Sequence, residues 1–367
     1  MAAKRIALLV PDMPTREELA PYLARIDQAR WYTNFGPLAT ELERRLGAAL
    51  GAGAAGAVSV ANATLGLELA LLAHRLPARA RVLLPALTFV ASAASVRRAG
   101  LEPVFCDVDA RSWLLTPEIA RRALRSAQAA AVMPVTTYGH PQPAAPWDQF
   151  AVETGCPVVI DAAGAYGNQS GPSAACQVFS LHATKSLGAG EGGFALSTDA
   201  ALLARIRRLS NFGIDVSTGD VEDAGTNAKL SEYHAAAALA SLDGWEARRA
   251  RRVALHRRYL AALAAHCPSV ALQERDAGGV YSILPVLLPE KRDAREVARR
   301  LAAEGIETRR WYCPTLERHP AFRGCALAGP LEVCASLNDR LLALPFHVQL
   351  EDAEIETVCR ALGRAAT

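Results

Sequence analysis

Lysine is nearly missing from this chain of 367 residues. Only Lys4, Lys185, Lys229 and Lys291 occur, and arginine supplies the other 36 of the 40 basic side chains. Against 37 acidic residues the net charge is +3, which excludes a nucleic-acid binder held by bulk charge. Aromatic residues are 6%, but 51% of the chain is hydrophobic, too much for a mostly disordered polymer. The eight cysteines form no C-x-x-C pair and the eight histidines no H-x-x-x-H spacing. Both absences argue against a disulfide framework or a metal site, and for reduced, buried thiols in a cytoplasmic protein. The apolar run Ile6–Val10 stops at Pro11 and Asp12, too short for a signal peptide. Leu46–Leu67 is uncharged, but its serine, asparagine, threonine and glycines leave it too polar to span a membrane. There is no internal repeat and no low-complexity tail.

What is present is an alternation of short apolar strands with helical stretches. Val58–Val60, Arg81–Leu84, Val104–Asp107, Ala131–Val135 and Val158–Asp161 read as strands. Thr64–Arg75, Ala91–Ala99, Pro117–Ser126 and Trp147–Thr154 read as helices between them. Strands apolar throughout and separated by helices predict an α/β fold with a mostly parallel sheet covered on both faces. Val178–Leu181 and Phe194–Ser197 follow as strands with no room for a helix between them. Residues 211–228 read as a long irregular loop of the kind that is functional or interfacial. Ser231 to about Leu263 reads as one long helix. Strand-like Val280–Leu288, Ile306–Trp311 and Leu342–Pro345 then mix with helices near 293–304, 331–340 and 351–363. The expected division is 1–245 for the N-terminal segment and large domain, and 246–367 for a smaller α/β domain.

Two segments match G-x-G-x-x-G, at Gly51, Gly53 and Gly56 and at Gly188, Gly190 and Gly193. A dinucleotide fingerprint follows a strand and opens a helix. Each of these leads into a strand, so both are expected to be tight turns.

The chemistry concentrates elsewhere. Asp161 ends an apolar strand, and Lys185 follows the strand end at Ser180; such ends are where open α/β sheets place ligands. A lysine amine can form a Schiff base with an aldehyde cofactor, and a carboxylate can keep a pyridine nitrogen protonated. The pair fits pyridoxal phosphate; a purely structural Asp–Lys pair fits the spacing as well. Ala63 and Thr64 open a helix whose N-terminus suits a phosphate, and Ser180 offers a hydroxyl. Thr64 also fits a plain helix cap. Phe89 fits either a stack on the cofactor ring or a core position.

Several strings together resemble the DegT/DnrJ/EryC1/StrS sugar aminotransferases of the fold-type-I pyridoxal phosphate class. They include Trp31–Pro37 with Asn34, Asn62–Thr64, Pro85–Phe89, Pro103–Asp109, Asp161–Ala163, Ser180–Lys185, Gly190–Gly193 and Gly225–Glu232. The resemblance implies Lys185 as the Schiff-base lysine and Asp161 as partner of the ring nitrogen. It implies Ala63, Thr64 and Ser180 around the phosphate and Phe89 near the ring; Asn34 and Tyr312 are the candidate substrate contacts. Asn227 in that family reaches the neighbouring subunit's site, which implies a homodimer with shared sites.

The sequence departs from the family at two places. The usual Gln or His three residues after the aspartate is Gly164, which resembles a smaller branch of the family with a small residue there, some of whose members act on dTDP-4-keto-6-deoxy-glucose. The usual Pro-Leu-His is replaced around Trp311–Glu317. The resulting expectation is a cytoplasmic enzyme moving an amino group from glutamate to a nucleotide-linked keto sugar, with no nucleic-acid or membrane partner. The rivals are a cyclitol aminotransferase, a sugar dehydratase on the same scaffold (in which histidine replaces the lysine), and a non-catalytic cofactor-binding sensor.

Overall fold

The central strands are apolar on both faces, and in the computed structural model both faces are covered. The structure describes residues 5–52, 56–169 and 171–366; Lys4 and Gly53 lie outside them. The first seven strands are β1 (Ala57–Val60), β2 (Arg81–Pro85), β3 (Glu102–Cys106), β4 (Ala131–Val132), β5 (Val159–Asp161), β6 (Cys176–Ser180) and β7 (Gly193–Leu196). Beyond them come β8 (Ala271–Leu272), β9 (Leu284–Leu287), β10 (Ala326–Leu327) and β11 (Leu341–Leu344).

β1, β7, β6 and β5 are neighbours in that order, as are β4, β2, β3 and β10. Parallel bridges from Val132 to Val158 and from Val135 to Asp161 join the two sets into one sheet. β7 runs antiparallel to both its neighbours, and the other pairings are parallel. The side-chain period of two sorts the strands onto two faces. Leu83, Val104, Val132 and Ile160 face helices 16–29, 37–49, 117–127, 144–154 and 232–243. Val82, Leu84, Phe105, Ala131 and Val159 face helices 63–73, 90–98 and 200–210. Helix 63–73 lies under the last two, which explains why it is apolar all round.

A second, antiparallel sheet of β11, β9 and β8 packs with helices 294–303 and 352–366 and with the far end of helix 245–266. Two expectations need correction there. The helix expected from Ser231 to Leu263 is two helices, 232–243 and 245–266, parted at Gly244 with φ −86° and ψ 9°. The expected strand Ile306–Trp311 reduces to single bridges, Ile306 with Ile6 and Arg309 with Ala343. Segment 211–228 is more ordered than an irregular loop. Bridges Asn211–Asn227 and Ile214–Val221 pin it as an outward hairpin, leaving Phe212, Val216 and Val221 exposed.

Where described, the glycine-rich segments bend the chain ahead of a strand, with positive φ at Gly51 and Gly56 before β1 and at Gly190 and Gly192 before β7. Gly51 and Gly56 have φ of +71° and +72°, leading from helix 37–49 into β1. Among the described residues no helix is long and apolar enough to cross a membrane, and no cluster of three or more potential metal ligands occurs.

Candidate active site

The register of three strands builds one end of the site. Val60, Gly193 and Ser180 are aligned across β1, β7 and β6. A Cβ on residue 193 would stand 2.8 Å from the amide nitrogen of Ala63, so glycine lets the helix start press onto the sheet edge. Asn62 caps that helix, accepting from the Leu65 amide at 2.9 Å, a contact worth about 1 kcal/mol. The alternative that Thr64 is the cap is therefore corrected: Thr64 sits inside the first turn, and its hydroxyl has no partner among the described residues. The amides of Ala63 and Thr64, the Thr64 hydroxyl and the neighbouring Ser180 hydroxyl make a donor set suited to a phosphate.

Asp161 closes β5 and is buried. Its Oδ2 accepts from the Ser92 hydroxyl at 2.6 Å, and its Oδ1 from the Ala163 amide at 3.1 Å. Burial raises its pKa, opposed by those two hydrogen bonds and by the charge of Lys185. Lys185 lies in the loop from β6 to β7. Leu181 and Ala183 donate their amides to Gly192 and Gly190, and the Lys185 amide donates to His182, so the loop is bonded to itself. Desolvation lowers the lysine's pKa, with Asp161 as the opposing charge. The two form no ion pair, and no described residue accepts a hydrogen bond from the Lys185 amine. A structural Asp–Lys bridge would be closed, whereas these groups are held in reach of each other's field with the amine left free. That donor and acceptor set fits pyridoxal phosphate: an acid for a ring nitrogen, a free amine for an aldehyde and amides for a phosphate.

Aromatic residues form the next wall. Phe89 caps the start of helix 90–98 and is 48% exposed, which removes the core alternative. Its ring is 6.2 Å from that of Tyr312, which stacks on Tyr138 at 4.7 Å. Tyr138 donates its hydroxyl to the Trp311 carbonyl, while the Tyr312 hydroxyl has no partner among the described residues. Burial and the charge of Asp161 raise the pKa of Tyr312, so it belongs to the same site. Gly164 offers no side chain there, and its neighbours are occupied. Asn168 donates to the carbonyls of Gly139 and Val280 and accepts from the Val280 amide, and Tyr166 is buried among Phe179, Phe194 and Trp245.

Ala63, Thr64, Phe89, Asp161, Ser180, Lys185 and Tyr312 thus gather at one sheet edge. Asn34, with φ +61°, and Asn227 instead lie exposed, and the side chain of neither makes a hydrogen bond to a described residue. The backbone beside Asn227 is close, because Ala228 accepts from the Ala61 amide at 2.7 Å. Sequence reasoning missed Ser92, its partner Thr88 at 2.7 Å, and Tyr138. A serine in an amphipathic helix carries no sign of its target.

The DegT/DnrJ/EryC1/StrS aminotransferase family model matches residues 14–363. The chain belongs to this family. DesI, whose crystal structure was determined in the presence of its TDP-sugar product, is 34% identical, with 99% of this chain and 93% of that one covered and a TM-score of 0.89. A Bacillus cereus protein assigned as a PLP-dependent aminotransferase is 27% identical, covering 98% and 100% of the two chains, with a TM-score of 0.92. The dTDP-4-amino-4,6-dideoxy-D-glucose transaminase of Escherichia coli is 29% identical over 99% of both chains. With these relatives and this site, the chain is a fold-type-I enzyme of the sugar aminotransferase class, and its cofactor is pyridoxal phosphate.

Proposed function

We propose that this enzyme takes an amino group from glutamate and places it on a nucleotide-linked keto sugar, a dTDP-4-keto-6-deoxyhexose. The observation that carries the reading is the unpartnered amine of Lys185 beside buried Asp161 at the sheet edge. The kinds of molecule named for DesI and the Escherichia coli enzyme, and the absence of a side chain at Gly164, support a sugar nucleotide as the acceptor.

Bound pyridoxal phosphate supplies the carbon that carries the amino group and a ring that draws electrons from the reacting bond. Asp161, as a carboxylate, would accept from the protonated ring nitrogen, and Ser92 and the Ala163 amide fix it for that task. Ala63, Thr64 and Ser180 would hold the phosphate. Lys185 accepts and returns the substrate proton at its amine; the lowered pKa leaves more of it neutral and able to do so. Phe89 and Tyr312 wall the site from water, and Asn34 and Tyr312 meet the substrate.

The reading includes a homodimer in the cytoplasm. Trp31, Tyr32, Phe212 and Tyr233 are each about half exposed, and Val216 and Val221 more so, an apolar surface suited to a second copy. Asn227 would cross that interface to the partner's phosphate. Residues 1–245 and 246–367 are read as two folding units, tied together by the bridge of Ile6 with Ile306 and by β10 on the edge of the large sheet.

The test is incubation of the pyridoxal phosphate-loaded protein with glutamate and dTDP-4-keto-6-deoxyglucose, followed by mass spectrometry. The expected products are an amino sugar nucleotide and 2-oxoglutarate. Amination of a cyclitol ketone with no transfer to any sugar nucleotide would overturn the acceptor assignment.

A further inference from the structure

Behind the lysine loop stands an arginine with no strong partner. Arg252, in helix 245–266, is 5% exposed. Its Nε is buried with no hydrogen bond. One terminal nitrogen reaches the main-chain carbonyl of Lys185 at 3.5 Å and Oδ2 of Asp12 at 4.0 Å. Burial lowers its pKa, and only Asp12 opposes that, since Arg248 and Arg251 add repulsion. A buried guanidinium is costly unless it is well paired, so a role is needed for this one.

Its surroundings indicate the role. Asp12 is held by Arg248 at 2.9 Å and by Arg251 at 3.1 Å, and Arg248 also meets Glu18 at 3.1 Å. The segment carrying Asp12 comes from the second sheet, where Ile6 pairs with Ile306 and Leu8 accepts from the Phe346 amide. One residue on, Met13 packs under Gly188, three residues after the lysine; a Cβ there would be 3.1 Å from its sulfur. Ser241 binds the Gly188 carbonyl at 2.5 Å. Helix 245–266 itself runs from this cluster to the second sheet, where Leu255, Tyr259 and Leu263 are buried. The two chain segments that join the sheets are thus clamped together directly behind Lys185, and Arg252 is the side chain that passes from the clamp to the lysine's backbone.

We infer that Arg252, anchored by Asp12, is a positioning residue that sets the backbone of Lys185 and through it the placement of the catalytic amine. The inference rests on Lys185 being the lysine that carries the cofactor. The guanidinium touches neither substrate nor cofactor in this role.

The experiment uses the pyridoxal phosphate-loaded enzyme and its Arg252→Met, Arg252→Lys and Asp12→Asn variants. Arg249→Met, on the exposed side of the same helix, serves as control. Borohydride reduction and peptide mapping of the parent come first. Label away from Lys185 sinks the premise rather than this inference. With Lys185 labelled, three quantities are read: kcat, KM for glutamate, and the pH midpoint of the visible chromophore. For Arg252→Met we expect kcat to fall by about 10- to 100-fold, KM to change little and the midpoint to shift. Arg252→Lys should recover part of each, and Arg249→Met should match the parent. Asp12→Asn should move kcat and the midpoint the same way by less, which keeps the test open if Arg252→Met does not fold. A lowered melting temperature with unchanged midpoint and kcat in Arg252→Met, or in Asp12→Asn if Arg252→Met does not fold, would show a merely structural cation and overturn the inference.

Discussion

The hydroxyl of Ser92 donates to Oδ2 of Asp161 at 2.6 Å and is itself in contact with Thr88 Oγ1 at 2.7 Å. The acid at the bottom of the site is therefore held by a relay from a helix on one face of the sheet. Ser92→Ala removes a hydrogen bond that favours the carboxylate, so burial acts less opposed and the Asp161 pKa rises further. Cofactor affinity should weaken by about 1.5–3 kcal/mol, the range for a bond to a charged group. Equilibrium binding of pyridoxal phosphate measures it, and an unchanged Kd would mean the relay is dispensable.

On the proposed reading, Lys185 makes the chemistry and not the core. The loaded protein should be yellow, and borohydride should fix the cofactor to Lys185. Lys185→Ala should lose turnover while its circular dichroism and melting behaviour stay near those of the parent. Label found only on Lys229 would refute the assignment. That residue's amine lies over the Phe212 ring at 4.5 Å, on the pinned hairpin.

Asn227→Ala should weaken cofactor retention by about 1–3 kcal/mol, as for a charge-assisted bond. Mixing Asn227→Ala with Lys185→Ala at limiting cofactor is sharper. If Asn227 serves the neighbouring chain, exchange leaves one site of each heterodimer intact and activity returns. Exchange seen by mass with no activity regained means that Asn227 acts in its own chain.

Glycine at position 164 is not demanded by the backbone. Its φ is not left-handed, and a Cβ would stand 3.4 Å from the Gly139 amide, tight but tolerable. Gly164→Gln should therefore fold with little loss of stability. It should fill the space beside the ring and lower kcat/KM for the keto sugar by about tenfold or more, a difference of roughly 1.4 kcal/mol. Thermal melts and steady-state kinetics check both halves, and full activity in this variant would separate Gly164 from substrate choice.

His256 sits against the ring of Tyr281 at 4.7 Å, and burial, aided by Arg275, lowers its pKa to about 4. An unfolded chain binds this proton near pH 6.5. Between those values the unfolded state holds more protons, so stability is lost as pH falls through that window. The loss is at most on the order of 3 kcal/mol. His256→Asn should show a shallower fall in denaturation midpoint from pH 7 to pH 4.5.

The sequence is most readable where one physical signal acts alone. β2, β3 and β5 are apolar on both faces, and the resulting runs mark them and imply their helices. Asp161 and Lys185 stand out because each follows such a run and lysine is rare. Gly244 is harder to read, because a single glycine in a helical pattern is often tolerated; here Trp245 turns in against Tyr166 and the helix breaks. The hairpin at 211–228 depends on backbone contact between Gly213 and Gly225, and β10 is two exposed residues that take their form from β3. Ser92 and Arg252 are invisible for another reason. Their targets lie 69 and 67 residues away, and only the closed fold pairs them.

The antiparallel strand β7 has a consequence for assembly of the site. In an all-parallel sheet, the chain leaving Ser180 would have to cross a whole helix before returning. Reversal at β7 brings it back at once, so the lysine and Gly193, against which helix 63–73 rests, share one short hairpin. The spacing between Lys185 and the surface on which helix 63–73 rests is then a local property of the residues from Ser180 to Gly193. It is set when that hairpin closes, and slow docking of distant segments need not adjust it.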